Sequence, residues 1–204
     1  MHRYFIVYKP YLTHTRFSTP EGTGSDEPVK TLRDFFSVPK DVYPVGRLDH
    51  DSEGLLLLSS DPALNHRLLD PAFQHEREYW VQVEGDINQQ AIDQLQKGVS
   101  IQVDGKQYQT RPCQAGLFSQ LPALPERNPP IRERKAIAAP WIHITLTEGK
   151  NRQVRRMTAA VGHPTLRLVR YRIGDISLGN MLPGNIKELS RNSIYQKLFH
   201  EKHP

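Results

Sequence analysis

The sequence predicts an α+β fold. Three observations lead there: stretches in which β-branched and aromatic residues alternate with polar ones, capped stretches with apolar residues three and four apart, and an Asp104-Gly105 pair between two short strand-like runs. The first two are strand and helix periodicities, and the third is a hairpin signal. At 204 residues, with 37% hydrophobic and 24% charged residues, the chain can bury a substantial core, either as one domain or as two small lobes sharing a cleft.

The elements follow in order. Tyr4-Phe5-Ile6-Val7-Tyr8 reads as a first strand that stops at Lys9-Pro10. Residues 13–28, rich in Thr, Pro, Gly and Ser, read as a surface loop, after which Thr31 caps a short helix through Leu32, Phe35 and Phe36. A polar, glycine-bounded loop from Gly46 to Gly54 runs directly into Leu55-Leu56-Leu57-Leu58, a run that fits a strand buried on both faces. Asp61-Pro62 gives an N-cap with proline in the first turn, and Leu64, Leu68 and Leu69 supply an apolar stripe as far as Pro71.

Tyr79, Val81 and Val83 alternate with Trp80, Gln82 and Glu84, as in a strand exposed on one face. Asp86 is expected to cap a helix carrying Ile87, Ala91 and Leu95, with Gly98 as its stop, and the hairpin follows over Ile101–Val103 and Lys106–Tyr108. Residues 121–140 hold five prolines and a basic cluster, which predicts an extended, exposed loop that either touches a ligand or simply connects. Trp141 to Thr147 alternates as a half-buried strand, Arg152 to Val161 reads as a helix with Gly162 beyond its end, and Leu166–Val169, Ile173–Leu178 and Ile186–Leu189 read as short strands. Ser193–His200 reads as a closing helix.

Composition narrows the function. The longest aliphatic run, Leu55 to Leu58, is far short of a bilayer span and no signal peptide opens the chain, so a cytoplasmic protein with no membrane partner is expected. The single cysteine, Cys113, cannot form an internal disulfide and agrees with a reducing compartment. Residues 127–172 contain eleven Lys or Arg against Glu133 and Glu148, a local charge of 11 − 2 = +9, which leaves −4 for the rest of a chain whose net charge is +5. Such a concentration fits a polyanion, although a solvated basic face would look the same. Neither HExxH nor a Cys/His cluster is present, and neither GxGxxG nor a P-loop, so no metal and no nucleotide cofactor is expected.

The acids Asp49, Asp51 and Glu53 cluster in the glycine-bounded loop. They fit a nucleophile with helpers, a general acid/base pair, or a charged turn, and spacing alone leaves all three open. Glycines that permit unusual backbone angles and a buried strand that would hold the loop rigid favour catalysis. Arg47 and Arg155 are candidates for orienting such a carboxylate by paired hydrogen bonds, and equally for phosphate binding.

Gly46-Arg47-Leu48-Asp49 followed by Ser52-Glu53-Gly54 and the four leucines resembles the central motif of the pseudouridine synthases of the small-subunit synthase A type. Lys9-Pro10 is similar to that family's first motif, Tyr79 to Gly85 to its tyrosine-bearing strand, and Glu148 to Met157 to its third motif. Tyr11 stands where glycine is common and Pro62 where glycine often follows the aspartate. The resemblance implies a mixed, mainly antiparallel sheet in two lobes around a catalytic cleft, with residues 1–204 forming a single catalytic domain that lacks the N-terminal S4 RNA-binding domain of many relatives.

It also implies that uridine in ribosomal RNA is isomerised without a cofactor, with Asp49 as nucleophile, Tyr79 against the target base and Arg155 paired with Asp49. Lys9, Arg47, Arg152 and Arg156 are expected to meet RNA, with Arg132, Arg134 and Lys135 a second contact zone. Arg127 to Lys135 and Pro164 to Leu168 resemble the members that act on large-subunit (23S) ribosomal RNA, free or in a pre-ribosomal particle. Small-subunit (16S) RNA, an N-glycosidase using Asp49 and Asp51, and a non-catalytic ribosome-assembly factor remain as alternatives. A monomer is expected.

Overall fold

The computed structural model describes residues 2–18, 29–131 and 137–201. The chain divides into two units, one formed by Met1–His75 with Tyr171–Pro204 and the other by Glu76–Arg170. No helix among the described residues is long and apolar enough to cross a membrane.

The first unit begins with strand β1 (Tyr4–Lys9), buried along its whole length. A short 3-10 turn over Leu32–Asp34 follows, and the Asp34 carboxylate accepts hydrogen bonds from the Thr31 amide at 2.7 Å and its hydroxyl at 3.0 Å. Strand β2 (Tyr43–Val45) was not expected from sequence; three residues with a central proline carry too little pattern to register. Strand β3 (Glu53–Ser59) is buried at every residue, as the leucine run predicts. It pairs antiparallel with β1, Tyr8 opposite Leu55 and Lys9 opposite Gly54, and with β2 through Val45 opposite Leu57. Leu56 and Leu58 pack with Phe5, Val7, Leu32 and Phe36, and burying each leucine contributes about 1.5–3 kcal/mol. Helix α1 (Pro62–Leu69) starts where predicted, the Asp61 carboxylate accepting from the amides of Ala63 and Leu64.

The second unit opens with β4 (Arg77–Val83) and helix α2 (Gln89–Lys97). The helix cap is Asn88, whose side chain accepts from the Ala91 amide at 3.0 Å, and not Asp86 as the sequence suggested. Both residues are good caps, and Asp86 precedes Ile87, the residue that starts the apolar stripe; the chain enters the helix two residues later. Strands β5 (Ser100–Val103) and β6 (Lys106–Gln109) form the predicted hairpin, with Asp104 and Gly105 both at positive φ, as a type I′ turn requires.

Strand β7 (Gln114–Leu117), unforeseen because it is short and contains Gly116, pairs antiparallel with β8 (Trp141–Leu146). β8 also pairs antiparallel with β4, Tyr79 opposite Ile144. Helix α3 (Gln153–Ala160) follows. Val81 and Val83 meet Ile92 and Leu95 of α2 and Val154 and Met157 of α3 in the core of this unit.

Strand β9 (Thr165–Ile173) begins in the second unit and ends in the first. The sequence suggested separate strands over Leu166–Val169 and Ile173–Leu178; the strand instead runs unbroken through Arg170-Tyr171-Arg172. It turns at Gly174, where φ is +52°, and returns as β10 (Ile176–Ser177) against Arg172 and Ile173. Strand β11 (Ile186–Glu188) pairs antiparallel with β1, and helix α4 (Arg191–Phe199) is capped by the Ser190 side chain.

Candidate active site

Asp49 lies in the loop between β2 and β3 of the first unit and is half-buried. Gly46 enters this loop at φ +79°, a left-handed backbone angle that favours glycine. The next anchor is Leu48, whose side chain is buried. Its carbonyl accepts from the Thr15 hydroxyl at 2.6 Å, and its amide donates back to the same oxygen at 3.2 Å. Beyond Asp49 the Ser52 amide closes a turn on the Asp49 carbonyl at 3.1 Å, and Ser52 and Glu53 disappear into the core. The backbone on each side of Asp49 is therefore fixed by hydrogen bonds and burial, which holds its carboxylate in a narrow range of positions.

Around this loop sit the groups of the first motif. Lys9, expected to contact RNA, is fully buried instead. Its ammonium donates to the carbonyls of Pro10 at 3.0 Å and Thr13 at 2.7 Å. The expectation of an RNA contact is corrected: a side chain without solvent access organises the loop it belongs to. The rings of His14 and His50 stack at 4.4 Å and 30°. Burial holds both below the ordinary imidazole value, helped for His14 by His50, Arg16 and Lys9, and for His50 by Lys9. Arg47 is exposed.

Tyr79 and Arg155 belong to the second unit. Tyr79 is half-buried on the β4 face that carries Val81 and Val83 and packs against that core. It is joined by a residue that sequence reasoning missed. Arg170 is 4% exposed and its guanidinium hydrogen-bonds to Tyr79. Burial pushes Arg170 below the usual guanidinium value, the nearby Tyr79 and its hydrogen bond oppose this, and the Arg77 charge adds to it. A buried arginine has no signature of its own in sequence and reads as surface charge.

Arg155 is half-buried on α3 and donates to the Thr165 carbonyl at 3.3 Å. The entry to α3 is built by Glu148, which is buried. Its carboxylate accepts from the Tyr108 hydroxyl at 2.5 Å, the Arg111 amide at 3.0 Å and the Gln153 side-chain amide at 2.6 Å. Gln153 in turn accepts from the Lys150 amide at 2.9 Å. The Glu148 and Gln153 side chains, with the Lys150 backbone amide, thus fix the turn from which Arg152, Arg155 and Arg156 project.

Arg152 is exposed and adopts a left-handed φ of +52° at the helix start. Arg156 is half-buried, donating to the Asn151 carbonyl at 3.0 Å and to the Gln102 carbonyl, so part of its role is to hold the β5–β6 hairpin. Arg132, Arg134 and Lys135 lie outside the described residues.

Comparison with known proteins agrees with the motifs. Residues 3–160 match the family model described as RNA pseudouridylate synthase. The chain is 49% identical over 178 residues to the ribosomal large subunit pseudouridine synthase E of Xanthomonas axonopodis pv. citri, covering 87% of this chain and 89% of that one. It is 47% identical to the protein of the same name from Vibrio parahaemolyticus, covering 90% and 72%. A solved pseudouridylate synthase superposes with a TM-score of 0.74 at 25% identity, covering 97% of this chain and 74% of that chain.

Proposed function

Because the chain belongs to the RNA pseudouridylate synthase family, we propose that it isomerises one uridine of large-subunit (23S) ribosomal RNA to pseudouridine, with Asp49 as nucleophile. The substrate class rests on relatives 47–49% identical that are named ribosomal large subunit pseudouridine synthase E. The single observation that carries the role of Asp49 is the two-sided clamp of Thr15 on the Leu48 backbone. It supports a carboxylate held in place before substrate arrives, as an efficient nucleophile requires.

The chemistry breaks the N1–C1′ bond of uridine and forms a C5–C1′ bond, so that atoms are conserved. The Asp49 carboxylate assists departure of uracil as its N1 anion, through an ester at C1′ or through a glycal formed by loss of the C2′ proton. The uracil rotates, C5 bonds to C1′ (with C2′ regaining its proton where the glycal route is taken), the C5 proton leaves and N1 is reprotonated. Asp49 is regenerated, and no cofactor enters.

A base within a helix must leave its stack to react, and Tyr79 compensates by stacking on it, worth about 1–3 kcal/mol. Arg155 is the proposed orienting partner of Asp49, as the family resemblance implies, while Arg47 and Arg152 hold phosphates. Arg132, Arg134 and Lys135 add a second contact zone through their charge.

The test is to incubate wild type and Asp49→Ala with ribosomal RNA, free and as assembly intermediates, from a strain lacking its own synthase. Pseudouridine is then mapped by carbodiimide-dependent stops in reverse transcription. The expected result is one new stop in large-subunit RNA, formed by wild type and abolished in Asp49→Ala. A stop confined to small-subunit RNA, release of free uracil, or tight binding without any stop would each overturn the reading in a different direction.

A further inference from the structure

Thr15 clamps the backbone on one side of Asp49, at Leu48. On the other side Asp49 opens a turn that the Ser52 amide closes on the Asp49 carbonyl at 3.1 Å, and the first central residue of that turn is His50. Its side chain is exposed, so the turn is held from outside only by what its ring touches. That ring stacks on His14 at 4.4 Å and 30° and hydrogen-bonds to the Leu12 backbone. Neither histidine has a part in the chemistry of uridine isomerisation.

His14 is a firm support. Its amide donates to the Lys30 carbonyl at 2.9 Å, and two residues on the Arg16 carbonyl accepts from the Leu32 amide at 2.9 Å. Leu32 is fully buried and packs in the core with Leu56 and Leu58. Leu12 adopts a left-handed φ of +53°, a conformation that a non-glycine residue keeps only where its surroundings impose it. Here Lys9 imposes it by donating to the carbonyls of Pro10 and Thr13 on either side. A rigid path therefore leads from the core through the residue 12–16 loop to the ring of His50 and so to the nucleophile.

The stack is also conditional on charge. Among the described residues, the charged groups that act on the pair are Lys9 from β1, Arg16 from the loop of His14 and Asp51 from the loop of His50. Two of the three are cations. Stacked rings at this separation repel strongly once both are protonated, and Lys9 beside them adds to the penalty. A ring held below the ordinary value of about 6.5 stays neutral above that value, and the stack is lost as pH falls through the lowered one.

We propose that His14 and His50 are positioning residues for Asp49, their stack pinning the turn that follows the nucleophile, and that protonation of the pair opens the stack and releases the carboxylate from its reactive position. The proposal rests on the reading of Asp49 as the nucleophile of an RNA pseudouridine synthase. The test compares wild type, His14→Ala, His14→Phe and His50→Phe, each as the full chain, in pseudouridine formation on ribosomal RNA as a function of pH. Phenylalanine keeps a ring in the stack and removes one titrating group.

At pH about 8, where both rings are neutral, His14→Ala should lower kcat about tenfold at an unchanged KM for RNA, as displacement of a reacting group does, and His14→Phe should restore it. Wild type should lose activity as pH falls below about 6.5, and both phenylalanine variants should lose less. A wild-type kcat in His14→Ala, a loss confined to KM, or an acid limb that both phenylalanine variants keep unchanged overturns the proposal. Should His14→Ala not fold, the two phenylalanine profiles decide. Hydrogen exchange of the Ser52 amide reads the turn without activity: its protection should drop about tenfold in His14→Ala and be kept in His14→Phe, as loss of a local restraint predicts. If wild type isomerises no ribosomal RNA, the functional reading fails, and Ser52 protection alone decides whether the stack holds the turn.

Discussion

Each unit contains a buried carboxylate that gathers several donors, Asp61 in the first and Glu148 in the second, and the two serve different ends. Asp61 accepts from the hydroxyls of Tyr4 and Tyr195, both at 2.7 Å, as well as from two amides at the start of α1. It ties the first strand, the first helix and the last helix together. Glu148 accepts from Tyr108, the Arg111 amide and Gln153, and everything it holds converges on the turn that presents Arg152, Arg155 and Arg156. The same chemistry, a carboxylate with three or more donors, is scaffold in one unit and support for functional side chains in the other.

The sharpest way to break this contrast is at Asp61. Asp61→Ala leaves two buried tyrosine hydroxyls without their acceptor, at about 1–3 kcal/mol each, and removes a helix cap worth about 1 kcal/mol. Loss of about 3–5 kcal/mol is expected in urea unfolding, whereas turnover per folded molecule at low temperature should be retained. Burial pushes the Asp61 carboxyl up, but its bonds to Tyr195, Tyr4 and the Ala63 and Leu64 amides outweigh this and hold it below the ordinary value. A depressed folded value contributes stability that is present above the unfolded value of about 4 and is lost as pH falls through the folded one. At the other end, burial and the Asp61 bond push Tyr195 up to about 12, so its contribution is lost as pH rises past about 10. Asp61→Ala should flatten both limbs of the stability profile.

At Glu148 the expectation inverts. Glu148→Ala should lower stability by about 2 kcal/mol, since two of its donors, Tyr108 and the Arg111 amide, are nearer to solvent, yet reduce kcat by about tenfold to a hundredfold because a small misplacement of Arg155 costs that much. Full activity with a lowered melting temperature would make Glu148 scaffold like Asp61 and erase the distinction. Thr15→Val sharpens it from the other side. The isosteric change removes only the hydroxyl that clamps Leu48. We expect a stability loss of about 1 kcal/mol with kcat several-fold lower and KM for RNA unchanged.

How much of this was legible depended on distance along the chain. The Asp61 cap could be read because Pro62 follows it immediately and the leucine stripe begins within one turn. Its two tyrosine partners could not, being 57 and 134 residues away. The four leucines of β3 announced a buried strand correctly, and the Asp104-Gly105 hairpin was local by nature. Strands β2 and β7 are too short to show a period, and the polar Arg170-Tyr171-Arg172 hid the continuity of β9. Lys9 and Arg170 were misjudged or missed for one reason: a buried cation looks like a surface cation until its acceptors are known. The motif residues of the site, Glu148 among them, were recognisable, but the tertiary contacts through which Thr15 and Glu148 position the others were not.

The smallest effect tests the one cap assigned differently by sequence and structure. Asn88 accepts from the Ala91 amide at 3.0 Å, and Asp86 is exposed. Asn88→Ala should therefore destabilise the chain by about 1 kcal/mol, whereas Asp86→Ala should stay within about 0.5 kcal/mol of wild type, as surface changes usually do. Equilibrium unfolding in urea resolves the two. The reverse ranking would mean that α2 begins at Ile87 in solution, two residues earlier than the Asn88 cap places it. The Asn88 variant should also leave kcat unchanged, because α2 packs on the β4 face that carries Val81 and Val83 and contributes no side chain to the turn held by Glu148.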